Sequence, residues 1–251
     1  MTRITIIFCL VIAVIAGNAK RLAAQPVRIY DKNTNAWFMY FGDHQLTKKW
    51  GLHTELQLRR HDVISDPQQL LLRTGINYNL SPRAMATLGY AFVETYPYGD
   101  YPAATAFPEH RIYQQLLLKD QYGIAALQHR FRLEQRWITF ANQPSAIYLN
   151  RARYMFRTNI ALAGKTIDKG ELYIGLYDEI FINFGKNVAK NVYDQNRLYL
   201  ALGYKASAAM ALEAGYMNQN VAQRNGTIFE DNHTLQFSII YNADFRKKDN
   251  N

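Results

Sequence analysis

The stretch from Gly123 to Trp137, GIAALQHRFRLEQRW, limits what this chain can become more than any other. Ala125, Leu127, His129, Phe131, Leu133 and Trp137 occupy odd positions and are mostly apolar. Gln128, Arg130, Arg132, Glu134 and Arg136 occupy even positions and are all polar or charged. A repeat of two puts the sets on opposite faces of a β-strand. The stripe is longer than the ~5–6 residues of an ordinary soluble strand and exceeds the ~9–11 residues that cross a bilayer at a tilt. One face calls for hydrocarbon, the other for water or countercharge.

The same alternation recurs along the chain. Trp50 to Arg60 sets Trp50, Leu52, Thr54, Leu56 and Leu58 against His53, Glu55, Gln57 and Arg59. Stretches beginning at Asn35, Gln68, Arg83, Tyr148, Glu171, Asp194, Met210 and Asn232 alternate likewise, and Glu109 to Gln121 does so less regularly, so that eleven strands can be read. Short turns near residues 47, 81, 120, 168 and 208 alternate with longer loops near 64, 102, 142, 189 and 225. Short turns on one side and long loops on the other are the connectivity of an antiparallel outer-membrane β-barrel, with the short turns periplasmic. A periplasmic start requires one more strand before Asn35, for which only Val27 to Tyr30 is available. Because single-chain bacterial barrels have even strand numbers, the expectation is about 12 strands with a frayed first one, with 10 or an odd closure as the alternatives.

The first residues, MTRITIIFCLVIAVIAGNAKRLAAQ, combine Arg3, an apolar run and small residues, the layout of a signal peptide cleaved after Ala19 or Ala24. The domain reading is a signal peptide over 1–24, a barrel over 25–245 and a polar tail over 246–251. Cys9, the only cysteine, would leave with the signal peptide, which excludes disulfides, thiol catalysis and cysteine-ligated metals in the mature form. The formal charge of +9 falls by three when Arg3, Lys20 and Arg21 leave. The remaining basic residues are spread singly along strands, which speaks against nucleic acid and for anionic lipid head groups or small anionic solutes as partners. No later apolar run reaches the ~18 residues of a membrane helix, and alternation keeps mean hydropathy slightly below zero.

The candidate site is the inward face. It carries Arg59, Arg73, Arg130, Arg132, Arg136, Arg151, Arg153, Arg157, Arg197 and Lys205, with Glu55, Glu134, Glu171, Glu179 and Glu213 as acidic partners. Arginine's rigid fork pairs with carboxylates and also coordinates anionic solutes. One reading is a salt-bridged filling that braces a narrow lumen; the sharper one is that the unpaired basic surplus lines an anion path.

No motif calls for a cofactor or a metal. Glu109 and His110, with Asp100 before them, match no ligand spacing and read as a solvated loop end, and GxSxG, HExxH and phosphate-loop motifs are absent. His129 falls on the apolar face. Thr158 or Asn150 on the next strand would be its partners in the alternative reading, a lipid- or envelope-modifying enzyme, but no nucleophile, base and orienter converge there. A soluble periplasmic binding barrel would need helices to cover the apolar face, and none is readable.

Taken together, NAWFMYFGDHQLTKKWGLHTELQLRR, EHRIYQQ, HRFRLEQRW and the final strand ending at Phe245 resemble the DUF2490 family, bacterial proteins of unknown function frequent in Bacteroidetes. The resemblance spans the mature chain and implies an outer-membrane barrel, but no catalytic or binding residue. The terminal strand also resembles the signal read by the barrel-assembly machinery, a further expected partner alongside outer-membrane lipids.

Overall fold

A chain that alternates apolar and polar residues over strand after strand can satisfy its backbone in lipid only by closing the sheet on itself. In the computed structural model, which describes residues 27–141 and 143–246, it does so. The strands are β1 (Ile29–Gln45), β2 (Trp50–His61), β3 (Asp66–Ser81), β4 (Ala84–Thr95), β5 (Phe107–Tyr122), β6 (Ala125–Ile138), β7 (Ile147–Ala161), β8 (Leu172–Phe184), β9 (Tyr193–Tyr204), β10 (Met210–Ala222) and β11 (Ile228–Tyr241). They form one closed barrel in which consecutive strands pair antiparallel and β1 meets β11 in parallel. No helix occurs among the described residues. The expected signal peptide lies outside them, as does the tail beyond residue 246.

The barrel is closed and all-β as expected, but it has eleven strands rather than twelve, and one seam is parallel. Val27 to Tyr30 does not form a separate strand. Ile29 and Tyr30 begin β1, and Ile29 through Phe41 pair in register with Ile228 through Ile240. The polar run Asp31-Lys32-Asn33-Thr34 looks like a break in the sequence because polarity usually marks a turn. Here it is a strand whose inward residues Asp31, Asn33 and Asn35 are buried in the lumen.

Burial is inverted relative to a soluble domain. Leu88 and Leu198 are 59% and 58% exposed on the outside, whereas Glu134 is 0% exposed inside. The outward face of nearly every strand carries exposed Leu, Ile, Phe or Tyr, the band that hydrocarbon would cover. Inside, Trp37, Met39, Tyr199, Ala201 and Met217 form a small apolar cluster on β1, β9 and β10, and Arg/Glu pairs fill much of the rest. Two tyrosines lie against glycines directly across the ladder: Tyr113 against Gly89 and Tyr173 against Gly203. An alanine at either glycine would strike the ring, so these glycines give the tyrosines room to lie along the wall.

The connections at one end are 46–49, 82–83, 123–124, 162–171 and 205–209, and at the other 62–65, 96–106, 139–146, 185–192 and 223–227. Residues 162–171, expected as a short turn at Asp168, form a longer loop, and its Ile167 lines the lumen. We call the ends the turn side and the loop side.

Candidate functional site

The inward residues of β2, β3, β6, β7, β8 and β9 meet across the lumen because each strand contributes every second side chain to it. Glu134 on β6 sits at the centre. It accepts from Arg151 Nε at 2.8 Å and Nη2 at 2.6 Å and from Arg153 Nη1 at 2.7 Å, with Arg73 at 3.9 Å and Arg132 at 4.0 Å. Glu179 accepts from Arg130 Nη2 at 2.8 Å and Arg153 Nε at 3.0 Å. Glu55 pairs with Arg73 and lies 3.3 Å from His53, and Glu213 pairs with Arg157 and accepts from Tyr173 at 2.8 Å. Each acid is shared among several donors, so the pairs form a lattice across the barrel.

The lattice divides the lumen into two chambers. The loop-side chamber, about 180 Å³, is lined by Arg59, Arg111, Arg136, Arg151, Glu109, Asp194 and several glutamines. The turn-side chamber, about 340 Å³, is lined by Arg130, Arg132, Arg157, Lys119 and Lys205 with Asp43, Glu55, Glu179 and Glu213. Gln57, Arg73, Arg153 and Arg197 border both. Basic side chains outnumber acidic ones in each chamber.

Of the residues expected on the lumen, Arg59, Arg73, Arg130, Arg132, Arg136, Arg151, Arg153, Arg157, Arg197 and Lys205 all line a chamber, as do Glu55, Glu179 and Glu213. Glu171 does not. It lies in the 162–171 loop, where its carboxylate accepts from the Asp168 backbone at 2.8 Å. Glu109, taken from the sequence as a solvated loop end, is buried and holds both Arg111 and Arg136. That assignment failed because Leu116-Leu117-Leu118 obscures the alternation of β5. Glu109, Arg111, Gln115 and Lys119 share one parity, and that was the signal available. Arg111, Lys119, Asp43 and Asp194 were missed as lumen residues, and His53, read on the polar face of its strand, was not counted among the candidates.

The loop-side mouth is crossed by the 96–106 segment. Tyr98 reaches Glu230 on β11, the Asp100 amide points at Asp31 on β1 at 3.4 Å, and Gln223 donates to the Tyr101 carbonyl at 3.2 Å. Burial, and then the Glu230 carboxylate beside it, hold the Tyr98 phenol well above its ordinary 10.

Among the described residues, no nucleophile, base and orienter converge on the outer face. His129 hydrogen-bonds to Tyr154 at 2.9 Å and packs on Phe156, while Thr158 pairs with Leu127 and Asn150 with Gln135, and neither hydrogen-bonds the imidazole. His110 and His233 are likewise bonded to Tyr90 and Tyr216, both at 2.6 Å. These are outward histidine–tyrosine pairs, in which the polar edge of each ring finds a partner on the exposed face.

Comparison with known proteins adds three findings. The model of a family described as protein of unknown function, DUF2490, matches residues 34–230. No curated protein matches the chain. Among solved structures, the siderophore receptor PirA from Pseudomonas aeruginosa is similar at a TM-score of 0.34 and 11% identity, over 70% of this chain and 33% of that one, so the chain spans about a third of that receptor's length.

Proposed function

The chain belongs to the DUF2490 family of proteins of unknown function, and from that premise we propose that it is an outer-membrane barrel whose lumen is held shut at rest and whose lining favours anions. The carrying observation is the lattice around Glu134, which joins β3, β6 and β7 through the middle of the barrel. A buried pair of this kind is costly to open because parting it leaves charge without a partner. The exposed apolar belt fits outer-membrane lipid. The exposed Phe245, whose amide bonds the Gln45 carbonyl just beyond β11, fits recognition by the barrel-assembly machinery.

The basic surplus in both chambers supports the anion preference, since rings of Arg and Lys favour anions. The loop hooked across the mouth favours a gated narrow pore over a purely structural barrel, because a structural barrel needs only the lattice. The test is single-channel recording of the refolded, heat-modifiable protein in planar bilayers, with reversal potential under a salt gradient. Expected are long closed intervals with rare, small, anion-preferring openings, and loss of that preference in Arg132→Glu/Arg153→Glu. A wide steady conductance, or unchanged selectivity in the double variant, overturns the reading.

A further inference from the structure

We infer that the loop-side chamber is a binding site for a small oxyanion of the phosphate type, held between the guanidinium groups of Arg59 and Arg197. Arg111, Arg136, Arg151 and Arg153 each have a carboxylate partner within 4.0 Å. Arg59 and Arg197 have none among the described residues, although both are more than nine-tenths buried. The bonds they make go to neutral carbonyl oxygens: Arg59 Nε to Gln57 at 3.0 Å, with Arg59 Nη2 donating to the same oxygen, Arg59 Nη1 to Gln69 at 2.7 Å, and Arg197 Nε to Gln195 at 3.1 Å. The two terminal nitrogens of Arg197 make no hydrogen bond to any described residue, and the side chain lines the chamber.

Both cations lie over the ring of Trp37, at 3.8 and 5.1 Å from its centroid, and the indole is pinned by its bond to Gln68 at 2.7 Å. An aromatic face orients a guanidinium but supplies no countercharge. Two buried like charges beside one ring therefore lack their anion. The carboxylates of the chamber, Glu109 and Asp194, are already engaged by Arg111, Arg136 and Arg151. At about 180 Å³ the space holds roughly six waters at ~30 Å³ each, room for one small oxyanion with part of its hydration. Planar forks present paired N–H donors, which suits an oxyanion with several acceptor oxygens better than a spherical halide. Entry is past Tyr98 and Phe107, which line the chamber where the 96–106 loop crosses.

The inference rests on the closed-lumen reading only for where the chamber lies. It is tested by binding rather than conductance, so either can fail alone. The experiment titrates the refolded full chain in detergent with inorganic phosphate, and with chloride at matched ionic strength, by calorimetry and tryptophan fluorescence. Expected are saturable binding of one phosphate per chain, a change in Trp37 emission, a raised thermal midpoint in phosphate, and a weak response to chloride. Arg59→Gln and Arg197→Gln should each weaken phosphate by roughly tenfold or more, the effect of losing a charged donor group. Arg60→Gln, whose guanidinium bonds the Ile64 and Ser65 carbonyls outside the chamber, should leave it unchanged. If a glutamine variant does not fold, Arg197→Lys keeps the charge without the fork and should bind phosphate more weakly than wild type. Absence of saturable phosphate binding, an equal response to chloride, or wild-type affinity in the Arg197 variants overturns the proposal.

Discussion

Tyr98 donates to the carboxylate of Glu230 at 2.5 Å across the mouth of the barrel. Tyr98 belongs to the loop between β4 and β5, and Glu230 to β11, with β1, β2 and β3 between them around the wall. A loop that makes this bond has to cross the opening. Tyr98→Phe removes the bond and leaves the ring, so the latch should weaken by about 1 kcal/mol and opening events should become roughly fivefold more frequent in bilayer recordings. The pH dependence has a definite sign. Burial and Glu230 raise the phenol's pKa above its value in the unfolded chain, so the latch is intact below about 10 and is lost only as pH climbs through the raised value. Recordings at pH 7 and pH 9 should therefore coincide. A severalfold rise in opening at pH 9 would show that another group holds the loop.

Glu134 binds two arginines of the neighbouring strand and lies within 4.0 Å of two more. Glu134→Gln keeps the shape and removes the charge, leaving Arg151 and Arg153 without their shared counterion. Breaking a buried pair in this way costs about 3–5 kcal/mol. The urea midpoint of the refolded protein should fall accordingly, and Glu134→Gln combined with Arg153→Met should recover part of the loss, because the basic excess around the site is reduced by one while Glu179 keeps Arg130. Equal midpoints for Glu134→Gln and wild type would mean that water already screens this site.

How much of this was legible beforehand follows from the period of two. Wherever alternation was clean, as in β2, β6 and β7, inward arginines and glutamates could be named with the correct face. It failed where an apolar residue turns inward: Tyr113 and Leu117 on β5 hid the parity that carries Glu109, Arg111 and Lys119 inside. It failed at the start of β1 for the opposite reason, since the polar run carrying Asp31 and Asn33 ahead of Asn35 looks like a break until a polar lumen is known to receive it. Glu171 was misplaced by a different route: the strand it was thought to open begins one residue later, and the connection before it is a loop. Pairs between non-adjacent strands, such as Arg157 with Glu213, could not be read, because those strands meet only across the lumen.

The fit of Tyr173 over Gly203 is testable through the glycine. A Cβ at Gly203 would be driven into the ring of Tyr173, whose hydroxyl is held by Glu213 at 2.8 Å and so is not free to swing away. Gly203→Ala should destabilise by about 1–3 kcal/mol, the usual range for overpacking. Adding Tyr173→Leu to Gly203→Ala should relieve the clash, so that the pair is less destabilised than the sum of the two single changes in urea titrations. Strict additivity would show that the ring does not lie on the glycine.

The parallel seam between β1 and β11 makes the odd strand count testable by cross-linking. Phe38 and Phe237 are directly paired across it, with rings stacked at 5.7 Å. Neighbouring strands lie about 4.8 Å apart, and disulfides form between residues whose Cα atoms are roughly 4.4–6.8 Å apart. The sequence has no cysteine except Cys9, so an introduced pair meets little competition. Phe38→Cys/Phe237→Cys should oxidise to an intrachain bond that persists after denaturation and alters gel mobility. Phe38→Cys/Tyr241→Cys, four residues off register along β11, should not. A further strand between β1 and β11 would double their separation to about 10 Å and forbid the first bond. An antiparallel closure would move its register partner elsewhere. Failure of Phe38→Cys/Phe237→Cys to cross-link in folded, heat-modifiable protein would therefore overturn the eleven-strand closure itself.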